Sequence, residues 1–182
     1  MRPMGVLPDW EIKRLCREEG MLEPYFEGKE GSPSYGFSPF GYDVRLGNRF
    51  LYLDTEAGAV YLDPKKPDPI YKGLEAGSEG VFLFPGMFVL AETVEKFKMP
   101  PDVVGLVKDK SSYARRGIAV QNTVIEPGWR GVLTLELSNH GKSMVKLVPG
   151  LGIAQIMFMR GEIPHSSYSG KYQDQVGVTE AK

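Results

Sequence analysis

Glycine and proline recur along the whole sequence, and this feature constrains the fold more than any other. The 182 residues include 22 glycines and 14 prolines, which break the apolar stretches into short runs. Such interruptions are typical of turns between short strands, whereas the interior of a long helix excludes proline and disfavours glycine. The sequence therefore predicts a mainly β chain.

One helix is predicted ahead of the strands, at Asp9–Glu19. Ile12, Leu15 and Cys16 lie on one stripe of this segment. Its first residue can cap the helix and Gly20 can end it. Because Cys16 shares the apolar stripe, we expect its thiol to lie in the core rather than to react.

Short strands separated by turns fill most of the remaining chain. We expect a long ordered loop at 21–42, turn clusters at 63–67 and 75–77, and one helical turn at 111–116. Pro85 and Gly86 lie between two of the strands in a hairpin-like pattern. The predicted strands are 42–46, 50–53, 81–84, 87–93, 103–107, 118–125, 132–137, 145–148 and 153–158.

This order of elements indicates a β-barrel or a β-sandwich, because strands and helices do not alternate. The 182 residues suit one domain. We expect that domain to carry an N-terminal helix-and-loop arm at 1–40 and a C-terminal arm at 161–182.

The charge and hydropathy patterns exclude several classes of partner. The formal net charge of −1 provides no global field for nucleic acid or an anionic membrane. No apolar run approaches the roughly 20 residues that span a bilayer, and the first residues lack a signal core. A single cysteine cannot form an intramolecular disulfide. We therefore expect a soluble cytoplasmic protein.

The same residue counts argue against a zinc-dependent deaminase. Such enzymes bind zinc through His/Cys/Cys or three cysteines, but Cys16 is the only cysteine. The two histidines, His140 and His165, lack the close spacing of metal ligands. A deamination reaction on this chain would therefore need a general base to activate water.

The predicted strand 132–137 carries the most informative carboxylate. Alternation places Leu133, Leu135 and Leu137 on the core face and Glu136 on the opposite face. Taken alone, such a glutamate is more often a solvated cross-strand residue. In a partly buried pocket its pKa would rise and it could transfer protons.

Two further segments suit an anionic ligand. At the start of the turn 111–116, backbone N–H groups, serine hydroxyls and Lys110 together favour phosphate, although an ordinary N-capped surface helix is the alternative. Arg115 lies three positions after Ser112, so one helical turn brings the two together. The tail 168–175 mixes tyrosines, a lysine and amides that could fold over a nucleotide, and a disordered terminus is its alternative.

Together, these segments resemble the dCTP deaminase family of the dUTPase-like superfamily. KSSYARRG at 110–117 is similar to the family's phosphate-binding serine motif, and TVIEPGWRG at 123–131 to its base-binding hairpin. LTLELSN at 133–139 resembles its catalytic strand, and 43–46, 153–156 and 170–175 match further motifs in the same order. Glu126 stands where most relatives have aspartate, and its extra methylene moves the carboxylate by roughly 1.5 Å.

The resemblance implies a distorted β-barrel or jelly-roll of the trimeric dUTPase-like type. Its active sites would lie between subunits, and residues 161–182 would form a lid. Glu136 would be the general base and acid, Ser111 would hold the attacking water or the amino group, and Arg115 would orient Glu136. The implied nucleotide-binding positions are Lys110, Ser112, Thr123, Val124, Glu126, Trp129, Thr134, Leu135, Gln155, Tyr168, Lys171 and Gln175.

The implied reaction is the hydrolysis of dCTP to dUTP and ammonia, with Mg²⁺ bound through the triphosphate and no catalytic zinc. A bifunctional enzyme that forms dUMP remains an alternative, as does a dUTPase alone. Plain dUTPases carry an apolar residue at the position of Glu136, which favours deamination. A non-catalytic nucleotide-binding protein is the alternative from another class. The sequence leaves regulation by dTTP open.

Overall fold

The computed structural model describes residues 4–53 and 71–181. Within these ranges the chain is mainly β with one long helix, as predicted, and the expected turn cluster at 63–67 lies outside them. The helices are α1 (Asp9–Glu19) and α2 (Ser111–Ala114). The strands are β1 (Gly5–Val6), β2 (Leu22–Glu23), β3 (Gly36–Ser38), β4 (Gly41–Leu53), β5 (Tyr71–Glu75), β6 (Val81–Leu83), β7 (Phe88–Lys98), β8 (Val103–Asp109), β9 (Ile118–Val120), β10 (Val124–Ile125), β11 (Arg130–Asn139), β12 (Val145–Leu147) and β13 (Gly152–Arg160).

Most of the described strands belong to one large antiparallel sheet. Its strand order is β10-β8-β13-β4-β7-β11-β9, with β1, β2, β3 and β5 paired to strands of this path. Register shifts interrupt β4, β11 and β13. Because such bulges increase local twist, a sheet of this length curls around its own apolar face. The architecture agrees with the predicted distorted barrel.

Helix α1 begins and ends where the sequence predicts, but its N-terminal cap differs. Pro8 occupies the N-cap position, and Asp9 lies in the first turn, where its carboxylate accepts a hydrogen bond from Lys13 at 3.1 Å. Gly20 ends the helix in the left-handed conformation. Cys16 is buried, and burial raises the pKa of its thiol to about 12. This environment agrees with the predicted core position.

A buried ion-pair network fastens α1 to the sheet. Arg160 of β13 donates to Glu11 at 2.6 Å and to Asp102 at 2.9 Å. Arg14 adds two further bonds to the Glu11 carboxylate. Bonding to Arg14 and then Arg160 lowers the pKa of Glu11 to about 2.

Three strand predictions differ from the structure because pairing depends on distant partners. Segments 42–46 and 50–53 form the single strand β4, which remains paired with β7 on both sides of a bulge. The strands around Pro85 and Gly86 do not form a hairpin, since β6 pairs with β12. Segment 118–125 divides into β9, which pairs with β11, and β10, which pairs with β8.

Neither described helix, over residues 4–53 and 71–181, combines the length and the apolar character needed to cross a membrane.

Candidate active site

A cavity of about 510 Å³ opens beside β11, where β9 and β10 separate. The C-terminal tail, residues 161–181, borders its other side. Eight predicted site residues line it: Thr123, Val124, Glu126, Trp129, Thr134, Glu136, Tyr168 and Gln175. The structure therefore brings together the residues expected to hold the base and the sugar.

Glu136 lies half-buried on the cavity face of β11. Its partner in the antiparallel register is Leu90 of β7, an apolar residue that lines the same cavity. Burial raises the pKa of the Glu136 carboxyl above its ordinary value. A carboxyl in such surroundings can hold a proton more readily than one in bulk water, as proton transfer requires.

The structure differs from two predictions for strand β11. The register shifts between Val132 and Thr134, so Leu133 leaves the core face and lines the cavity, while Val132 is buried. Beyond the bulge the predicted alternation holds. This alternation turns Leu135 fully into the core. Its side chain therefore does not line the cavity, contrary to the expectation that it would contact the nucleotide.

The hairpin after β10 and the tail form one wall of the cavity. Trp129 is buried against Phe97, with ring centroids 6.3 Å apart, and its indole N–H donates to the carbonyl of Tyr172 at 2.8 Å. The backbone N–H of Tyr172 donates to the hydroxyl of Tyr168 at 3.2 Å. The bond from Trp129 therefore joins the tail to the hairpin, and the tail packs as part of this wall.

Gln175 fixes the tail to β11. Its side-chain amide donates to the carbonyl of Val132 at 2.9 Å and to the hydroxyl of Thr134 at 2.6 Å. The Thr134 hydroxyl also accepts the backbone N–H of Thr179 at 3.0 Å. These bonds hold the last part of the tail beside Glu136.

Sequence analysis missed several cavity residues. Tyr71 faces the cavity, and burial, together with the negative charges of Glu180 and Glu136, raises the pKa of its phenol. Asn122 bonds the backbone of β11 on both sides of Leu135. No local pattern identifies these residues, since their positions depend on strand pairing. The other lining residues not predicted are Phe88, Leu90, Ile125, Leu133, Tyr172, Thr179, Glu180 and Ala181.

A profile described as dCTP deaminase-like matches residues 6–161 of the chain. This match covers most of its length. The chain belongs to the dCTP deaminase-like family.

Curated relatives in this family match nearly the whole chain. A dCTP deaminase of Helicobacter pylori (strain Shi470) is 41% identical over 184 residues, covering 97% of both chains. A dCTP deaminase of Herpetosiphon aurantiacus is 39% identical over 182 residues, covering 97% of this chain and 98% of the relative.

A solved structure of the 2′-deoxycytidine 5′-triphosphate deaminase from Agrobacterium tumefaciens has a similar fold. The TM-score is 0.67 at 22% identity, and the match covers 88% of this chain. The chain spans about half of that solved chain, 49% of its length. At this identity the likeness supports the fold alone.

In this dCTP deaminase-like chain the serine motif lies outside the cavity of Glu136. Ser111, Ser112 and Arg115 are exposed on α2 and the residues after it. Ser112 and Arg115 line a second cavity of about 780 Å³ together with Arg116 and Lys146. One chain therefore does not bring the predicted Ser111 and Arg115 to the predicted catalytic glutamate.

Three other predicted nucleotide contacts also lie away from this cavity. Lys110 is buried, and its ammonium donates to Asp43 at 2.7 Å. The side-chain amide of Gln155 donates to Ser38 at 3.2 Å. Lys171 lies on the exposed side of the tail, 5.4 Å from the ring centroid of Tyr172.

Among residues 4–53 and 71–181, no three His, Cys, Asp or Glu side chains form a set that could bind a metal ion.

Proposed function

We propose that this chain is a dCTP deaminase that converts dCTP and water to dUTP and ammonia, with Glu136 as the general base and acid. The observation that carries the proposal is the half-buried Glu136 carboxyl in the cavity, with its raised pKa. The curated relatives, named dCTP deaminase, support the choice of substrate.

The proposed chemistry needs one group that accepts and then returns protons. Glu136 takes a proton from water as the water oxygen bonds to C4 of cytosine, and it transfers that proton to N3. The new C4 hydroxyl then gives its proton, through Glu136, to the amino nitrogen. The C4–N bond breaks, ammonia leaves, and the ring remains as uracil with a C4 carbonyl and an N3–H.

The cavity walls suit a pyrimidine deoxynucleotide. The backbone of Thr123 and Val124 would contact the base beside Thr134, and Glu126 and Trp129 would border the sugar. Tyr168, Lys171 and Gln175 would cover the nucleotide. Leu135 is fully buried, so we assign its side chain no contact with the base.

The site would be completed by a second copy of the chain within a homotrimer. Ser111 on α2 and Arg115 just after it are exposed, so they could face the Glu136 cavity of a neighbouring copy. From there Ser111 would hold water or the amino group, and Arg115 would orient Glu136 of the neighbouring copy. Lys110, Ser112 and Gln155 would lie towards the phosphates.

Mg²⁺ would accompany the triphosphate and offset part of its negative charge. The described residues offer no cluster of three acidic, histidine or cysteine side chains. The described residues therefore fit a Mg²⁺ ion held by phosphate oxygens better than a Mg²⁺ ion held by protein side chains. The protein's part is then to bind the phosphates through serine hydroxyls, N–H groups and cations.

Product analysis separates this proposal from its alternatives. With dCTP and Mg²⁺, we expect dUTP and ammonia in equal amounts. Formation of dUMP and pyrophosphate from dCTP would identify the bifunctional enzyme, and turnover of dUTP alone would identify a dUTPase. Tight binding of dCTP without any product would favour a non-catalytic nucleotide-binding protein.

The Glu136→Gln substitution tests the catalytic role directly. We expect kcat for dCTP to fall at least about a hundredfold, because the amide cannot accept a proton, while nucleotide binding persists. Steady-state kinetics and calorimetric titration with dCTP measure the two effects. Glu180→Gln, a matched change of another carboxylate at the same cavity, should alter kcat less than about threefold. Equal activity of Glu136→Gln and the unmodified protein would refute the role.

A further inference from the structure

Strand β9 leaves β11 just before it would pass Glu136. The last residue pair in register is Val120 with Leu137, and one more backbone bond joins the Gln121 N–H to the Glu136 carbonyl at 2.9 Å. The chain then moves away to form β10, where Val124 pairs with Leu106 of β8. This separation of the two strands opens the cavity.

The separation removes the neighbouring backbone from two groups of β11. On this edge of the strand, the N–H of Glu136 and the C=O of Thr134 point towards the space that β9 has left. The Asn122 side chain binds both: its Oδ1 accepts from the Glu136 N–H at 3.1 Å, and its Nδ2 donates to the Thr134 carbonyl at 2.7 Å. A side-chain amide offers the same donor and acceptor as a peptide group.

We infer that Asn122 is a positioning residue for Glu136, whose side-chain amide takes the place of the missing strand along β11. This inference rests on the proposed role of Glu136 as the reacting carboxylate. By holding the backbone on both sides of Leu135, the amide fixes the pleat that directs Glu136 into the cavity. The cavity can then admit substrate and water while the strand edge keeps its hydrogen bonds.

Asparagine suits this position better than related side chains. Aspartate retains the acceptor for the Glu136 N–H but, when ionised, turns a second oxygen towards the Thr134 carbonyl. Alanine removes both partners and leaves the two backbone groups to compete for water in the cavity. Neither change removes a group to which we assign contact with the substrate.

The Asn122→Ala substitution provides the first test. We expect kcat for dCTP to fall roughly ten- to a hundredfold with KM changed less than about threefold, because small displacements of a reacting group are costly in rate. Steady-state kinetics of the intact oligomer measure the changes in kcat and KM separately. Thermal unfolding of the same samples shows how much of the protein is folded.

Asn139→Ala is the matched control on the same strand. The Asn139 amide also binds backbone groups, donating to Leu83 at 2.8 Å and accepting from Gly141 at 2.9 Å, and Asn139 does not line the cavity. Its loss should lower the melting temperature and leave kcat per folded enzyme unchanged. Equal losses of kcat in both variants would reduce Asn122 to a structural residue and overturn the inference.

The Asn122→Asp substitution gives a test that does not depend on the alanine variant folding. A protonated carboxyl offers one O–H donor and one carbonyl acceptor, as the amide does, whereas the ionised form offers only acceptors. We expect kcat relative to the unmodified protein to rise at least about fivefold as the pH falls from about 8 to about 5. A relative kcat that is independent of pH would overturn the inference.

The other titratable groups at the cavity are present in both the unmodified protein and the Asn122→Asp variant. Their own titrations therefore cancel, to first order, in the ratio of the two kcat values. They come from β5, the hairpin after β10, β11 and the tail: Tyr71, Glu126, Glu136, Tyr168, Tyr172 and Glu180. An unmodified protein that does not deaminate dCTP would refute the proposed function itself. Full activity in the unmodified protein and in Asn122→Ala alike would refute only the positioning role.

Discussion

At the scale of single residues, the environment of Glu136 matches the demands of proton transfer. A carboxylate that both accepts and donates protons works best when its pKa lies near the working pH. Burial moves the pKa of Glu136 in that direction, and the apolar Leu90 beside it contributes to the dry surroundings. A solvated glutamate, with a lower pKa, would be a weaker base and would be protonated in a smaller fraction of molecules near neutral pH.

The pH dependence of the reaction should report this burial. Because Glu136 must be ionised to accept a proton, kcat/KM for dCTP should fall on the acid side with an apparent pKa above 4.5, the ordinary value for glutamate. Leu90→Ser should admit water and move this acid limb towards 4.5. A pH–rate profile of both proteins measures the shift. An acid limb at the same pH in both would show that burial by Leu90 does not set the pKa.

The outcome at Glu136 and its neighbours shows how far local patterns carry. Alternation correctly placed Glu136 on the face opposite the core, because the strand is regular from Leu135 onwards, but it did not predict a cavity there. It misplaced Leu133, since a bulge depends on how two strands accommodate each other and not on either sequence alone. Asn122 went unrecognised for a related reason: its amide matters only because β9 ends where it does.

At the scale of elements, the connection between α1 and the sheet depends on buried charges. Glu11 and Arg160 are both almost fully buried and pair with each other, while Arg14 and Asp102 complete the network. The apolar stripe of α1 could be predicted from its spacing. The ion pair could not, because Arg160 lies at the far end of the chain and only the fold brings it to α1.

Acid should weaken this connection. The pKa of Glu11 is about 2 in the folded chain against an ordinary value of 4.5, so its stabilising effect is fully present above about pH 4.5 and is lost as the pH falls towards 2. Glu11→Gln should lower the free energy of unfolding at pH 7 by roughly 2–4 kcal/mol, because Arg160 keeps a buried charge with one partner fewer.

Chemical denaturation of both proteins at several pH values measures this effect. The difference in unfolding free energy between the unmodified protein and Glu11→Gln should shrink between pH 4.5 and pH 2, where the native carboxylate becomes protonated. Glu18→Gln is the control, since Glu18 also pairs with Arg14 but is exposed. A difference that stays constant with pH would exclude linkage through Glu11.

At the scale of the whole molecule, the two halves of the predicted site are separated. The residues predicted to contact the base and the sugar meet at one cavity, but Ser111 of α2 and Arg115 just after it lie outside that cavity. Sequence motifs identified both halves and their order, yet no pattern within one chain specifies which copies they come from. The proposed homotrimer with shared sites would account for the placement of the predicted site residues on two surfaces of the same chain.

Mixed oligomers can test this sharing without a structure of the assembly. Glu136→Gln and Arg115→Ala should each be nearly inactive alone. In a cyclic trimer containing both variants, one of its three interfaces joins an intact Glu136 to an intact Arg115, whichever variant is in excess. Trimers co-expressed with two tags and purified through both should therefore recover about one third of the activity of the unmodified protein. If Glu136 and Arg115 of the same chain served one site, the mixed trimers would remain as inactive as their parents.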